Sequence, residues 1–425
     1  MIELAVMRLS FRLAYNSLVQ IIGRLLGGLV NLLVILIITR QLGKGVWSDY
    51  VTITSFVAIF TLIADFGLNS IFVREVSQEP LKREKNFQSL LSLRIGLALV
   101  AIFSSLAILS FTPHTTTVKL GIVIAVLAIL AQSISYSASA IFQLVLRFDK
   151  AVLADIVGNL FLLVFISVAS SIKIGIVAVI VLYLLANFVK ALLALFFVSS
   201  YVKFGLSFDW KYAKRLLALS WAIGLTAVFS QFTANIDKQI VSLATYKASL
   251  GQNGHDAVAI YGLSYRIFDF LISFPAFLIN SAFPIMLEKV KDNLEGLLNF
   301  TKKIFLVLVL SGIVLTGVSY LLAPYVLAWF GKYPESVAPL RILVLGLPVF
   351  FVTSIGFSLL IVLKKEKLLP LIYGFAAAFN FAANFYFVPN FGYNAAAWLT
   401  WITELLVLLL MMVFIFQFLR KDETY

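Results

Sequence analysis

An all-α polytopic membrane protein with 12 transmembrane helices in two six-helix lobes is the fold class this chain predicts. Three observations predict it. Apolar stretches long enough to cross a bilayer follow one another along nearly all 425 residues, separated by short polar loops; a hydrocarbon core about 30 Å thick needs roughly 20 apolar residues of helix. The composition is 62% hydrophobic and 12% charged, with a mean hydropathy of +1.03, whereas soluble domains carry about 25% charged residues. Finally, Lys and Arg sort by loop. With the N-terminus cytoplasmic, 21 fall on that side and 6 on the other, a positive-inside bias. It predicts that both termini are cytoplasmic and accounts for most of the net charge of +13 without nucleic acid.

The spans read in order as follows. The first, 17–39, carries Asn16, Gln20, Arg24, Gly27 and Asn31 on one helical face. The second, 46–72, holds Asp65 near its cytoplasmic end, either as an end cap with Arg74 or as an ion-coupling group. The third, 88–111, places Arg94 near an end, where a long side chain snorkels. The fourth, 117–143, repeats a stripe with Gln132, Tyr136, Ser139 and Gln143; the fifth, 151–171, contains Asp155, and the sixth, 174–199, contains Lys190 in mid-span. The seventh, 215–241, carries Ser220, Gly224, Gln231, Asn235 and Lys238, with Asp237 beside Lys238 but pointing about 100° away. The eighth, 257–283, pairs Arg266 with Asp269 at i, i+3 and contains Pro275. The ninth is 303–323; the tenth, 338–363, has Arg341 near an end and Pro348 inside. The eleventh, 368–388, aligns Tyr373, Asn380, Asn384 and Phe387, and the twelfth, 393–418, contains Glu404. Pro275 and Pro348 interrupt the helical ladder and predict kinks, for gating or for shape alone.

The chain reads as a duplication. An offset of 204 sets Asn16 on Ser220 and Asn31 on Asn235, and an offset of 214 sets Trp47 on Tyr261. Six spans per unit make the repeats parallel. The halves are expected to be 1–208 and 209–425, meeting at the polar stretch KFGLSFDWKYAKR. Met1 to Asn16 is too polar for a signal-peptide core, so none is expected. There are no cysteines, and no phosphate loop, metal-ligand spacing or Ser/His/Asp set is present, so neither an enzyme nor a cofactor is expected.

A charge at the centre of a membrane helix costs on the order of 3 kcal/mol, so such groups face an interior or a wet cavity. Four polar stripes predict a shared cavity lined by Gln20, Asn31, Gln231, Asn235, Asn380 and Asn384, although small polar residues also glue helices together. Arg24, Arg266, Lys190 and Lys238 are the candidate anion-binding residues, and Asp65, Asp237, Asp269 and Glu404 the candidate ion-coupling carboxylates. Arg266 and Asp269 are either a structural ion pair or a basic site tuned by a carboxylate.

The run TRQLGKGVWSDYVTITSFVAIFTLIADFGLNSIFVRE, residues 39–75, resembles the start of the polysaccharide-export flippases of the MOP (multidrug/oligosaccharidyl-lipid/polysaccharide) exporter superfamily. NFAANFYFVPNFGYNAAA, with Asn380, Asn384, Pro389, Gly392, Ala395 and Ala396, resembles their late signature, departing at Asn394 where glycine is expected. The TANIDKQIVS and VAIYGLSYRIFDFL segments are similar to the opening of the family's second half. The resemblance implies a MATE-like two-lobed bundle in the bacterial inner membrane, working by alternating access as an O-antigen or exopolysaccharide repeat-unit flippase (Wzx type). Its substrate would be an undecaprenyl-pyrophosphate-linked glycan. The implied partners are membrane lipids and the polysaccharide polymerase or chain-length machinery. A multidrug or cation antiporter of the same superfamily is the alternative; a membrane enzyme acting on lipid-linked sugars would need a large outer loop that the chain lacks.

Overall fold

The computed structural model describes residues 2–331 and 333–422; the side chains of 2–18, 21, 80, 292 and 420–422 are not described. The chain divides into two compact units, Met1–Val228 and Phe229–Tyr425. All regular structure among the described residues is helical.

In the first unit α1 is Ile2–Ile37, α2 Gly43–Asp65, α3 Leu68–Gln78, α4 Arg83–Ser110, α5 Thr116–Ala125, α6 Ala128–Leu144, α7 Phe148–Ser170 and α8 Ile176–Val198. The helix α9, Trp210–Leu243, passes from this unit into the second. There follow α10 Gly254–Leu271, α11 Pro275–Asp292, α12 Leu294–Trp329, α13 Val337–Leu345, α14 Leu347–Val362, α15 Leu369–Phe391 and α16 Tyr393–Asp422.

Among the described residues ten helical runs are long and apolar enough to cross a membrane, eleven if the pair Pro334–Leu345 and Leu347–Val362, bent by 40°, is one span. The first of these runs, Ile22–Gln78, is 57 residues long. A straight helix of that length would measure roughly 85 Å, nearly three bilayer cores. It is interrupted by a π-helical turn at Ile38–Leu42 and by Gly43 at φ 88, a left-handed angle that glycine adopts without a Cβ penalty. It covers both the first and the second expected span, so the count of ten to eleven is close to the expected twelve.

The two halves share an order of elements. In each, the second and fourth spans are broken and the others continuous: α2/α3 and α5/α6 first, α10/α11 and α13/α14 second. This order is what a duplicated six-span unit would be expected to give. The two compact units divide further along the chain than the expected halves do. The division lies inside α9, because the first turns of that helix bury Ala213 and Leu216 in the same cluster as Phe72, Phe87, Phe142 and Val198.

Pro275 and Pro348 do not kink continuous helices. Each lies in the first turn of a new helix, α11 and α14, where the missing N–H would have had no partner. The apolar residues exceed what the interior can hold, and large ones such as Phe103, Val314, Leu321 and Phe385 lie exposed along the helices. That distribution suits lipid on the outside.

Candidate functional site

In the first unit the polar centre sits at the α2/α3 break. Phe66 at φ 44 and Gly67 at φ 66 both turn left-handed there, an uncommon geometry for a bulky residue. Gly224 on α9 leaves the room: a Cβ on it would meet the Phe66 ring and carbonyl at 2.7 Å. The turn presents Asp65 and Asn69 to α4, where Arg94 Nη2 donates to Asp65 Oδ1 at 2.7 Å and to Asn69 Oδ1 at 2.9 Å. Arg94 Nη1 reaches Ser137 Oγ on α6 at 3.4 Å.

Arg94 is therefore not a snorkelling side chain; it is fully buried. Asp65 does not cap the span with Arg74. A buried guanidinium needs a carboxylate, and the break in α2/α3 aims Asp65 inward to supply it. Nearby, Gln132 Nε2 donates to Tyr183 Oη and Asn187 Oδ1, both at 3.3 Å, so this stripe joins α6 to α8.

The α1 stripe is split by its neighbour. Gly23 and Gly27 approach Val152 and Asn159 of α7, Gln20 is half-buried, and Arg24 and Asn31 are exposed. The side chain of Asn16 lies outside the described residues. Lys190 lies across Gly158 on α7, a close approach that a Cβ would block, and it shares an electrostatic interaction with Asp155.

In the second unit the polar groups form two bonded sets, one around Asp237 and one around Asn380. Asp237 and Lys238, though adjacent, are both buried, because the Lys238 side chain bends back. Its Nζ lies 3.6 Å from Asp237 Oδ1, donates to Ala234 O, and sits 3.2 Å from the centre of the Tyr265 ring. Tyr261 Oη donates to Asp237 Oδ2 at 2.5 Å and lies 3.1 Å from Thr400 Oγ1. Thr403 Oγ1 accepts from Asn380 Nδ2 at 2.9 Å, and Asn384 Nδ2 donates to Asn380 Oδ1 at 3.1 Å. Arg266 and Asp269 are half-buried and act electrostatically on Lys238. Gln231 is half-buried, and its backbone carbonyl accepts the Asn235 amide at 3.0 Å.

Tyr265, Thr400 and Thr403 also line a cavity of about 600 Å³ within this unit, together with Thr353, Tyr373 and Glu404. Among its described lining residues Glu404 is the one charged group. The structure thus pairs Asp237 with Lys238 and Asn380 with Asn384, while Glu404 faces the cavity. Tyr261, Thr353, Thr400 and Thr403 escaped the sequence reading. Thr400, Thr403 and Glu404 follow i, i+3, i+4 on α16, a signal that was present but weak, since threonine bonds its own helix as readily as a neighbour.

The polysaccharide biosynthesis protein family matches residues 13–290, most of the chain. The chain belongs to that family. Its fold is also that of solved structures of low identity. An inward-facing multidrug resistance MATE family transporter of the MOP superfamily is 16% identical, with TM-score 0.73 over 94% of this chain and 97% of that one. The lipid II flippase MurJ, in an inward closed conformation, is 16% identical, with TM-score 0.70 over 95% and 87%. A MOP superfamily transporter from Pyrococcus furiosus is 14% identical, with TM-score 0.68 over 95% of each chain. Curated protein sequences yield no match. This member of the polysaccharide biosynthesis family is thus an all-α, multi-pass membrane protein of MATE-like fold.

Proposed function

We propose that the chain is a flippase that moves undecaprenyl-pyrophosphate-linked oligosaccharide repeat units across the bacterial inner membrane by alternating access between two six-helix lobes, for O-antigen or exopolysaccharide export. The observation that carries this reading is the cavity of the second unit. Rings of Tyr265 and Tyr373 and hydroxyls of Thr353, Thr400 and Thr403 surround it. Aromatic faces and hydroxyls are the groups that stack on and hydrogen-bond to a sugar, and family membership supports the same substrate class.

The pyrophosphate needs cations elsewhere, since the cavity offers a carboxyl group. Arg24 and Arg266 are proposed to supply them, because guanidinium forks hold phosphate oxygens bidentately. Lys190 is a weaker candidate. Lys238 is weaker still, as its ammonium is already engaged by Asp237 and Tyr265.

Complementation of a flippase-null strain tests the reading. Arg24→Ala and Arg266→Ala should abolish surface polysaccharide on gels at normal membrane abundance, and the Lys replacements should restore part of it. Full glycan in both alanine strains would remove the two arginines from the site. Failure of the unaltered chain to complement with any lipid-linked glycan would remove the function.

Glu404 supports one alternative, a cation antiporter, because a lone carboxyl group among aromatic rings also attracts organic cations. Saturable binding of a tetraphenylphosphonium probe, lost in Glu404→Gln, would favour it over the flippase.

A further inference from the structure

Between α8 and α9 the backbone leaves helical structure, and residues 203–210 present two different faces. Phe204, Leu206, Phe208 and Trp210 are exposed at 54, 66, 57 and 66%. The alternating residues Gly205, Ser207 and Asp209 are partly buried. This period of two is that of an extended chain with one covered side.

The covered side is tied to the start of α4. Arg83 donates to Tyr201 O at 3.0 Å, Gln88 Nε2 donates to Lys203 O at 3.5 Å, and Lys85 Nζ lies 3.3 Å from Asp209 Oδ2. Gly205 lies so close to Gln88 that a Cβ would meet its amide nitrogen at 3.0 Å. Asp209 also accepts the Tyr212 N–H at 3.1 Å and so caps α9. The Tyr212 amide and the Lys85 ammonium hold its carboxyl group below the usual carboxylate range. These bonds fix the segment in place and fix which side faces out.

On the outward side the four apolar residues are bracketed by Lys203, Lys211 and Lys214, all exposed. The Phe208 and Trp210 rings lie 6.0 Å apart. We propose that residues 203–214 form a strap seated in the membrane itself: Phe204, Leu206, Phe208 and Trp210 lie at the boundary between headgroups and acyl chains, and Lys203, Lys211 and Lys214 contact anionic phospholipid headgroups. The helix before the strap ends at Val198 and the one after begins at Trp210, both apolar enough to cross the bilayer, so both ends of the segment lie at the membrane surface. Aromatic residues concentrate at that depth, and cytoplasmic-side lysines are attracted to anionic lipid within a Debye length. A protein partner would be expected to meet the same face with acidic groups. The strap lies on the side the basic loops assign to the cytoplasm, and the inference is independent of what the protein transports.

The chain has no cysteine, so single labels are clean. Leu206→Cys, Ser207→Cys and Phe208→Cys carry a nitroxide in the full-length protein, in nanodiscs of phosphatidylcholine with or without phosphatidylglycerol. Labels at 206 and 208 should collide with oxygen and escape a water-soluble nickel chelate, with 207 shielded from both. Adding phosphatidylglycerol should deepen 206 and 208, and replacing Lys203, Lys211 and Lys214 by glutamine should abolish that response. Equal nickel access at all three positions would overturn the proposal, as the strap would lie in water. Labels at 206 and 208 shielded from both probes would overturn it too, by showing that protein covers the face. Unaltered depth on adding anionic lipid would overturn the headgroup contact.

Discussion

Arg94 and Asp65 lie 29 residues apart in sequence and 2.7 Å apart in space, with the arginine side chain wholly buried and the aspartate about a quarter exposed. One ion pair thereby joins α4 to the end of α2, and Asn69 and Ser137 extend the same guanidinium to α3 and α6. Removing one partner leaves an uncompensated charge in a low-dielectric interior. Arg94→Met should lower the stability of the purified protein by roughly 3–5 kcal/mol. Arg94→Lys should rescue little, because an ammonium cannot reproduce the fork. A thermal-unfolding midpoint for Arg94→Met equal to that of the parent would refute the clamp.

The Asp237–Lys238 pair admits a double-mutant cycle. Asp237→Asn and Lys238→Met should each destabilise, and the double substitution should cost less than their sum, with a coupling of about 0.5–3 kcal/mol. The same carboxylate bears on energy coupling. If protons drive transport, Asp237→Asn or Asp269→Asn should remove the dependence of export on the pH gradient while the protein stays folded. Intact dependence in both variants would shift the coupling group to Asp65 or Glu404, and no dependence in the parent either would point to a sodium-driven or uncoupled mechanism.

Topology is testable with single cysteines. Ser249 lies in the α9–α10 loop, which is bonded to the end of α15 by Lys247 N–H to Pro389 O at 3.2 Å, so both loops share one end of the second unit. Ser249→Cys should react with an impermeant thiol reagent on intact cells, and Glu84→Cys should react only after permeabilisation. Equal labelling of the two would invert or break the assignment.

Gly224 tests the α2/α3 break. A valine there would press on the Phe66 ring and on its backbone carbonyl, which cannot swing aside. Overpacking of this kind costs about 1–3 kcal/mol. Gly96, with nothing near its Cβ position, is the control: Gly96→Ala should be neutral or mildly stabilising. Similar melting shifts for the two substitutions would show that the Phe66 contact is not limiting.

Sequence alone determined the environment, the helical class and the approximate span count. Each follows from quantities that need no partner: the length of an apolar run, the cost of leaving backbone unpaired in lipid, and the sorting of lysine and arginine between loops. It also marked most of the charged residues inside the spans. What it could not decide was how they combine. Helical spacing reports which residues share a face of one helix and is silent about which helix stands opposite. Hence Arg94 read as a snorkelling end residue, Asp65 as a cap for Arg74, and Lys238 as diverging from Asp237, whereas packing buried Arg94 on Asp65 and folded Lys238 back onto Asp237 and Tyr265. Pro275 and Pro348 were visible as interruptions, but only tertiary structure showed them starting new helices, because a proline signals a missing donor and not the angle at which the chain continues. The placement of Glu404 in the cavity was likewise decided by packing, through the hydroxyls that neighbouring helices bring to it.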